Sequence, residues 1–341
     1  MNAAPWPSYT HLTRLSDSVG LFEHAKFETP RVEEGYCLDD VSRGLIVAAR
    51  HAASDPVLAE LTRVYLNFVD EAISENGAAH NRRNVHREWT DSPAVGDWWG
   101  RAIWALGVSA KHLTEPQQQV QARESILRAM TTQSPFVRSN VFATIGAAAL
   151  LSQEPELQEV RIFLDHSSRM IPTQATPSWI WPEETLTYGN ASLTEALIAA
   201  GAALKNHDML EHGLCLLDFL VATETFQGNL SVTGVGGSRS DSPRPQFDQQ
   251  PIEVSALADA CVQAYQATGD PSWLSGLTQA WRWFNGDNDS MTEMYDLESG
   301  AGFDGLEHDG RNENRGAEST LAALSTHQHF FRYEAVIQAS A

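Results

Sequence analysis

The 341-residue chain is poor in cysteine. Cys37, Cys215 and Cys261 stand far apart and none belongs to a Cys-x-x-Cys pair. That spacing excludes a disulfide framework and a cysteine-built zinc site, and fits reduced thiols. The chain also lacks a basic surplus: 23 Lys and Arg face 44 Asp and Glu, a formal net charge of −21. Nucleic acids and anionic membranes both require a basic footprint, so neither is expected as a partner. No apolar run approaches the ~18 to 20 residues of a membrane span. The start, Met1-Asn2-Ala3-Ala4-Pro5-Trp6, has neither the basic nor the apolar region of a signal peptide, so a cytoplasmic location is expected.

Several catalytic signatures are missing as well. The twelve histidines form no HExxH or His-x-x-x-His pattern, which argues against zinc hydrolysis. No Gly-x-Ser-x-Gly elbow occurs. Gly234-Val235-Gly236-Gly237 lacks the lysine of a phosphate loop. Asp287-Asn288-Asp289 lacks the glycine and terminal glutamate of a calcium loop. The expectation is an activity without metal or cofactor.

What the sequence does have is helical periodicity and ten tryptophans. Apolar residues recur at helical spacing over 40–53, 56–75, 97–112, 117–132, 136–151, 154–170, 189–205, 208–225, 251–268, 271–286 and 316–333. Strand signal is sparse, and 229–235 carries the best of it. Short breaks such as Asp55-Pro56, Thr114-Glu115-Pro116 and Gly269-Asp270-Pro271 join helices in pairs. Long connections at 76–96, 171–188, 226–250 and 287–315 alternate with them. Unstructured loops of that length are uncommon unless they are functional. Six inner helices, each backed by an outer one, make an all-α (α/α)6 toroid. Region 10–24 is expected to supply the one outer helix the pattern does not show. A single domain over 1–341 is expected, with 1–10 and 335–341 peripheral.

Six helix openings join polar groups to apolar helices, and they hold the candidate chemistry. Asp39 and Asp40 open the first, beside Tyr36 and Arg43. Capping competes with catalysis there, because an Asp in a first turn is stabilising. Adjacent residues also point in different directions, so one of the two is expected to face a cavity. The second opening holds Asp97, Trp98, Trp99 and Arg101, with Arg101 placed to orient Asp97 four residues before it. Arg138 and Asn140 open the third. Trp181, Glu184, Tyr188 and Asn190 surround the fourth, where Glu184 beside tryptophans has the setting of a general acid. Asp248, Gln249, Gln250 and Glu253 open the fifth, and Asp304 and Glu318 flank the last. Glu253 can equally serve as a capping-box acid. Trp98, Trp99, Trp179 and Trp181 are candidate platforms for sugar rings, while Trp104, Trp281 and Trp283 are expected in the core.

Six stretches also carry a resemblance. They are Phe22-Glu23-His24-Ala25, Gly35-Tyr36-Cys37-Leu38-Asp39-Asp40-Val41-Ser42-Arg43, Gly100 to Gly107, Leu186 to Ala191, Phe247 to Glu253, and Arg315 to Thr320. In this order, from about residue 15 to 330, the chain resembles a bacterial family of six-hairpin, (α/α)6-type glycosidase-like proteins. Members are found alone or attached to glycosyltransferase modules. Where that family tends to read GYCTDDNAR, this chain has Leu38 for the polar residue and Val41-Ser42 for Asn-Ala. It also has Arg315 where Gln is usual. The resemblance implies a toroid and a glycan-related role near mannoside metabolism.

Together these readings predict a glycoside hydrolase acting on a neutral oligosaccharide, with a mannoside among the candidates, by carboxylate acid/base chemistry. Asp40, Asp97 and Asp248 are the predicted proton-handling set, with Glu184 in reserve. The remaining opening residues are predicted to bind substrate. A sugar epimerase, a glycoside phosphorylase using Arg101, Arg138 or Arg315, and a non-catalytic glycan-binding module are the alternatives.

Overall fold

A computed structural model describes residues 7–173, 176, 179–241 and 246–340; Trp6 lies outside them. Twelve α-helices are present among the described residues. The helices are α1 (Thr10–Arg14), α2 (Leu38–Ala49), α3 (Pro56–Ala72), α4 (Asp97–His112), α5 (Pro116–Ala129), α6 (Val137–Gln153), α7 (Gln158–Arg169), α8 (Asn190–Leu204), α9 (His207–Thr223), α10 (Pro251–Thr268), α11 (Leu274–Phe284) and α12 (Ala317–Ser340). The chain divides into two compact units. One comprises Thr13–Ile171 and Ala199–His207; Pro172–Ile198, Asp208–Ala341 and the residues before Thr13 make up the other.

Local chemistry explains where the helices begin. Asp55 caps α3, its Oδ1 accepting from Val57 N at 2.8 Å and Leu58 N at 3.4 Å, with Pro56 in the first turn. Pro116 and Pro251 likewise stand in the first turns of α5 and α10, where the cap residues Glu115 and Gln250 make no side-chain capping bond. Gly269 ends α10 in the left-handed conformation, φ 73°, and its N–H bonds the Tyr265 carbonyl.

In the first unit α2, α4 and α6 form a layer, and α3, α5 and α7 back it. The faces of α4 and α6 are lined with small residues because the helices meet backbone to backbone. A methyl group placed on Gly107 would strike the Gly146 carbonyl, and one on Gly146 would strike that of Ile103. Trp99 is fully buried in this unit. Its indole donates to the Gly77 carbonyl at 2.9 Å and its ring meets Phe163 edge-on. In the second unit α10, α11 and α12 pack together, and Gly213 of α9 lies against Leu197 and Ile198 of α8.

Two expectations are corrected. Region 10–24 supplies only the five-residue α1. Beyond it Asp17 Oδ1 accepts from Val19 N and Gly20 N, a turn that ends any helix. The strand expected over 229–235 is confined to Asn229–Leu230, paired with Thr225–Phe226 across a tight turn. Gln227 and Gly228 take φ of 52° and 95° in that turn.

His327 sits in the second unit at the middle of α12. Its Nδ1 faces the Ala323 carbonyl at 2.8 Å and its ring stacks on Tyr295 at 4.0 Å. Burial lowers its pKa to about 4. At pH 7 the imidazole is neutral in both the folded and the unfolded chain. Between pH 6.5 and 4 the unfolded chain takes a proton that the folded chain refuses. Stability from this group is therefore complete above pH 6.5 and lost as pH falls toward 4. Urea unfolding at pH 7 and pH 5 should show a loss of about 2 kcal/mol from His327. The His327→Gln variant should show a correspondingly smaller difference, and an unchanged difference would refute the assignment.

Candidate functional site

The opening of α2 is the densest charged constellation of the first unit. Cys37 occupies the cap position and its side chain makes no capping bond. Both aspartates lie in the first turn, where their charge favours the helix dipole. Both also face guanidinium groups. Arg43, one turn on, donates from Nη1 to Asp40 Oδ1 at 2.7 Å and places Nη2 2.5 Å from Asp39 Oδ2. Arg101 comes from the neighbouring α4 and places Nε 2.8 Å from Asp39 Oδ1. The contact is off the line of the N–H, so it is an ion pair rather than an aligned hydrogen bond. The Arg101 guanidinium also lies 3.9 Å over the Phe142 ring. Two carboxylates and two guanidiniums thus meet across α2 and α4.

Accessibility separates the two aspartates. The Asp39 side chain is 20% exposed, that of Asp40 5%, and the arginines 8% and 3%. The sequence reading chose Asp40 as the proton-handling member; the structure buries it and leaves Asp39 the more open carboxylate. A second reading is also corrected, because Arg101 pairs with Asp39 rather than with Asp97. Asp97 is half-buried and accepts from Ser139 Oγ at 3.2 Å. Trp98, also half-buried, donates to the Ala79 carbonyl at 2.8 Å. Asn140 is fixed by the carbonyls of Ser134 and Phe136, both at 2.8 Å, and Arg138 is half-buried in the same first turn of α6. Asn140 therefore builds the opening and does not project from it.

Tyr36 and Cys37 support the constellation from behind. Tyr36 donates its hydroxyl to Asp17 Oδ2 at 2.6 Å, and burial with this bond raises its pKa. Gly35, at φ 75°, lets the chain pass against the Arg83 carbonyl. Glu23, Cys37 and Asp40 bring one potential ligand atom each within 4.8 Å of one another. Arg82 already pairs with Glu23 and Arg43 with Asp40. Burial, then the Asp40 and Asp39 charges, hold the Cys37 thiol well above its usual pKa. A cation would have to displace two guanidiniums and a proton there, so this donor set is a poor metal site.

In the second unit several predicted contact residues prove to be structural. Glu253 accepts from Gly189 N at 2.7 Å and Asn190 N at 3.3 Å, so it caps the start of α8 rather than its own helix. Asn190 Oδ1 accepts from Thr187 N. Gln249 is buried, accepting from the Trp283 indole at 2.9 Å and donating to Asp289 Oδ2 at 2.6 Å and to the Gln246 carbonyl. Asp304 accepts from Gly316 N at 2.7 Å and Ser319 Oγ at 2.9 Å and so anchors the start of α12. Trp181 is fully buried against Phe219. Trp99 and Trp181 are therefore core residues and not sugar platforms, because neither ring face is open. Trp179 is half-buried and held by the Glu183 carbonyl. Glu184 is 93% exposed, with Arg239 3.7 Å away. It lacks the apolar enclosure that a general acid needs, and its place in reserve is withdrawn. Asp248 and Gln250 are exposed, and Tyr188 and Glu318 half-buried.

The sequence reading missed Glu195, which is buried in α8, a helix without a polar face that would draw attention to it. It also missed the Asp17–Tyr36 and Glu23–Arg82 pairs, which join residues far apart in the chain.

No family model matches the sequence, and no curated protein matches it. Solved structures do. A sugar epimerase from a ruminal bacterium superposes with a TM-score of 0.70 at 12% identity, over 94% of this chain and 94% of that one. Cellobiose 2-epimerase from Bacillus thermoamylovorans gives 0.72 at 9% identity, over 94% and 96%. An α-mannanase from Bacteroides thetaiotaomicron gives 0.65 at 10% identity, over 96% and 95%. The fold is the (α/α)6 toroid. At these identities the likeness establishes fold and leaves activity to the site. No helix of the described residues is long and apolar enough to cross a membrane.

Proposed function

We propose that the protein is a glycoside hydrolase acting on a neutral oligosaccharide, with the opening of α2 at its catalytic centre. The observation that carries this reading is the Asp39–Asp40 pair itself. Two consecutive carboxylates in the first turn of an apolar helix meet two nearly buried guanidiniums, one of them from a neighbouring helix. Such groups are costly to desolvate, and a first-turn charge does not by itself call for two buried guanidiniums beside it. Asp39 keeps enough access to reach a ligand, and its two oxygens are fixed by different arginines. In this reading Asp39 serves as base or nucleophile. Asp40 and Arg43 hold it in place. Asp97, a half-buried carboxylate at the head of the next inner helix, is the first candidate for the proton donor.

An α-1,6-mannanase of Salegentibacter, also similar in structure at 10% identity and a TM-score of 0.66, is inactive when two consecutive aspartates are replaced. It was studied with α-1,6-mannotetrose. Together with the sequence resemblance, this makes mannosides the first substrates to test. The epimerases among the similar structures support a second reading on the same scaffold. Moving a proton at a sugar carbon calls for paired bases near neutrality, a role suited to histidine. The inner openings of this chain hold carboxylates instead. Phosphorolysis loses much of its support, because Arg101 is taken by Asp39 and Arg315 lies over Phe303 beside Asp296.

A panel of α- and β-linked manno- and gluco-oligosaccharides, with and without phosphate, tests the proposal. Shorter sugars released equally without phosphate support it. Sugar phosphate formed only with phosphate, or a melting shift without product, overturns it.

A further inference from the structure

We propose that the outer face of α3 carries a binding site for a phosphoryl group, borne by free phosphate or by a phosphorylated sugar. The site is a cavity of about 100 Å³ in the first unit, between α3, the turn at Ser18-Val19 and the loop holding Arg83 and Arg87. Three arginines line it in a chain of net charge −21. This inference does not rest on the hydrolase reading.

A count of donors and acceptors points to an anion. Among the described residues Glu71 is the one carboxylate that lines the cavity, and Glu60 and Asp17 lie beside it; each is paired. Glu71 accepts from Arg83 Nη1 at 2.7 Å. Glu60, one turn before the cavity, accepts from Arg63 Nε and Nη2 at 3.0 and 2.5 Å. Asp17 accepts the Tyr36 hydroxyl and two backbone N–H groups. The donors are in excess. The Arg87 guanidinium and the Ser18 hydroxyl have no hydrogen-bond partner among the described residues. Asn67 uses only its Oδ1, toward Gln121, which leaves its amide N–H groups over. Arg63 keeps Nη1.

Arg83 is also held rigid. Its Nε donates to the Arg87 carbonyl at 3.1 Å, and its guanidinium lies 5.7 Å from the Phe68 centroid and 5.0 Å from that of Trp89. Aromatic packing and an engaged Nε fix one guanidinium edge before any ligand arrives, which reduces the ordering cost of binding. Donors line the cavity from α3, the Ser18 turn and the Arg87 loop. A tetrahedral oxyanion with three free oxygens can answer all three directions, whereas a planar carboxylate offers two oxygens.

Isothermal titration at constant ionic strength, with sodium phosphate in one arm and mannose 6-phosphate in another, tests the site. Saturable binding with Kd near or below about 1 mM is expected. Arg87→Ser and Arg63→Ser should each weaken it about tenfold, with melting temperature and oligosaccharide turnover unchanged. Equal affinity in the two arms identifies the free anion as sufficient, and tighter binding of the ester identifies a sugar phosphate. Absence of saturable binding by the unaltered protein, or affinity unchanged in both variants, overturns the proposal. Because both variants lie outside the Asp39 network, this test and that of the hydrolase reading fail independently.

Discussion

Replacing Asp39 by asparagine is expected to lower oligosaccharide turnover by about 10²- to 10⁴-fold, the range of a lost acid/base group. The substitution keeps the shape of the side chain and one acceptor, so one of Arg43 and Arg101 keeps its oxygen while the other faces the amide NH2. It removes the charge and the ability to take a proton. Substrate affinity should change much less than kcat, because the loss falls on the transition state. Asp40→Asn should be milder in turnover but costlier in stability. Asp40 is the more deeply buried carboxylate, and the Arg43 charge beside it would be left partly uncompensated. If Asp39→Asn keeps wild-type kcat while Asp40→Asn abolishes it, the assignment of the open carboxylate is wrong.

The second large effect concerns the link between α2 and α4. Arg101→Met removes a guanidinium that is almost fully buried, faces Asp39 at 2.8 Å and covers the Phe142 ring at 3.9 Å. Removing one partner of a buried ion pair costs roughly 3 to 5 kcal/mol. Arg43 and residual solvent still serve Asp39, which places the expected loss near the lower end, about 3 kcal/mol. A melting temperature lower by about 4 °C follows. Arg101→Lys keeps the charge but not the planar contact with the ring, and should recover only part of the loss. A double-mutant cycle with Asp39→Asn should give a coupling of about 1 to 3 kcal/mol. Additive effects would mean that the ion pair contributes nothing across the helices.

These expectations show which parts of the molecule could be read from its residues. Helix positions were legible because apolar spacing, first-turn prolines and Gly269 are local signals, and α4 and α10 begin and end where the pattern places them. The importance of the α2 opening was legible for the same reason: two adjacent aspartates before an apolar run are unusual at any distance. Which aspartate is open was not legible. That depends on Arg101, which arrives from α4, and sequence spacing suggested its nearer neighbour Asp97 instead. Glu253 shows the same limit. Its place in a first turn predicts a cap for its own helix, yet the packing of α10 beside the start of α8 turns it to two other amides. The tryptophans divided for a related reason. An indole beside acidic residues reads as a platform, but Trp99 and Trp181 are turned inward by partners the chain reaches only after folding.

The central claim is that the α2 opening breaks a glycosidic bond with water. Its most direct test is the mass and configuration of the products formed from mannotetraose or a cello-oligosaccharide with a free reducing end. Two shorter fragments are expected, with masses that sum to the substrate plus one water, and neither should form when Asp39 is asparagine. A single product of unchanged mass and altered configuration would mark an epimerase and contradict it.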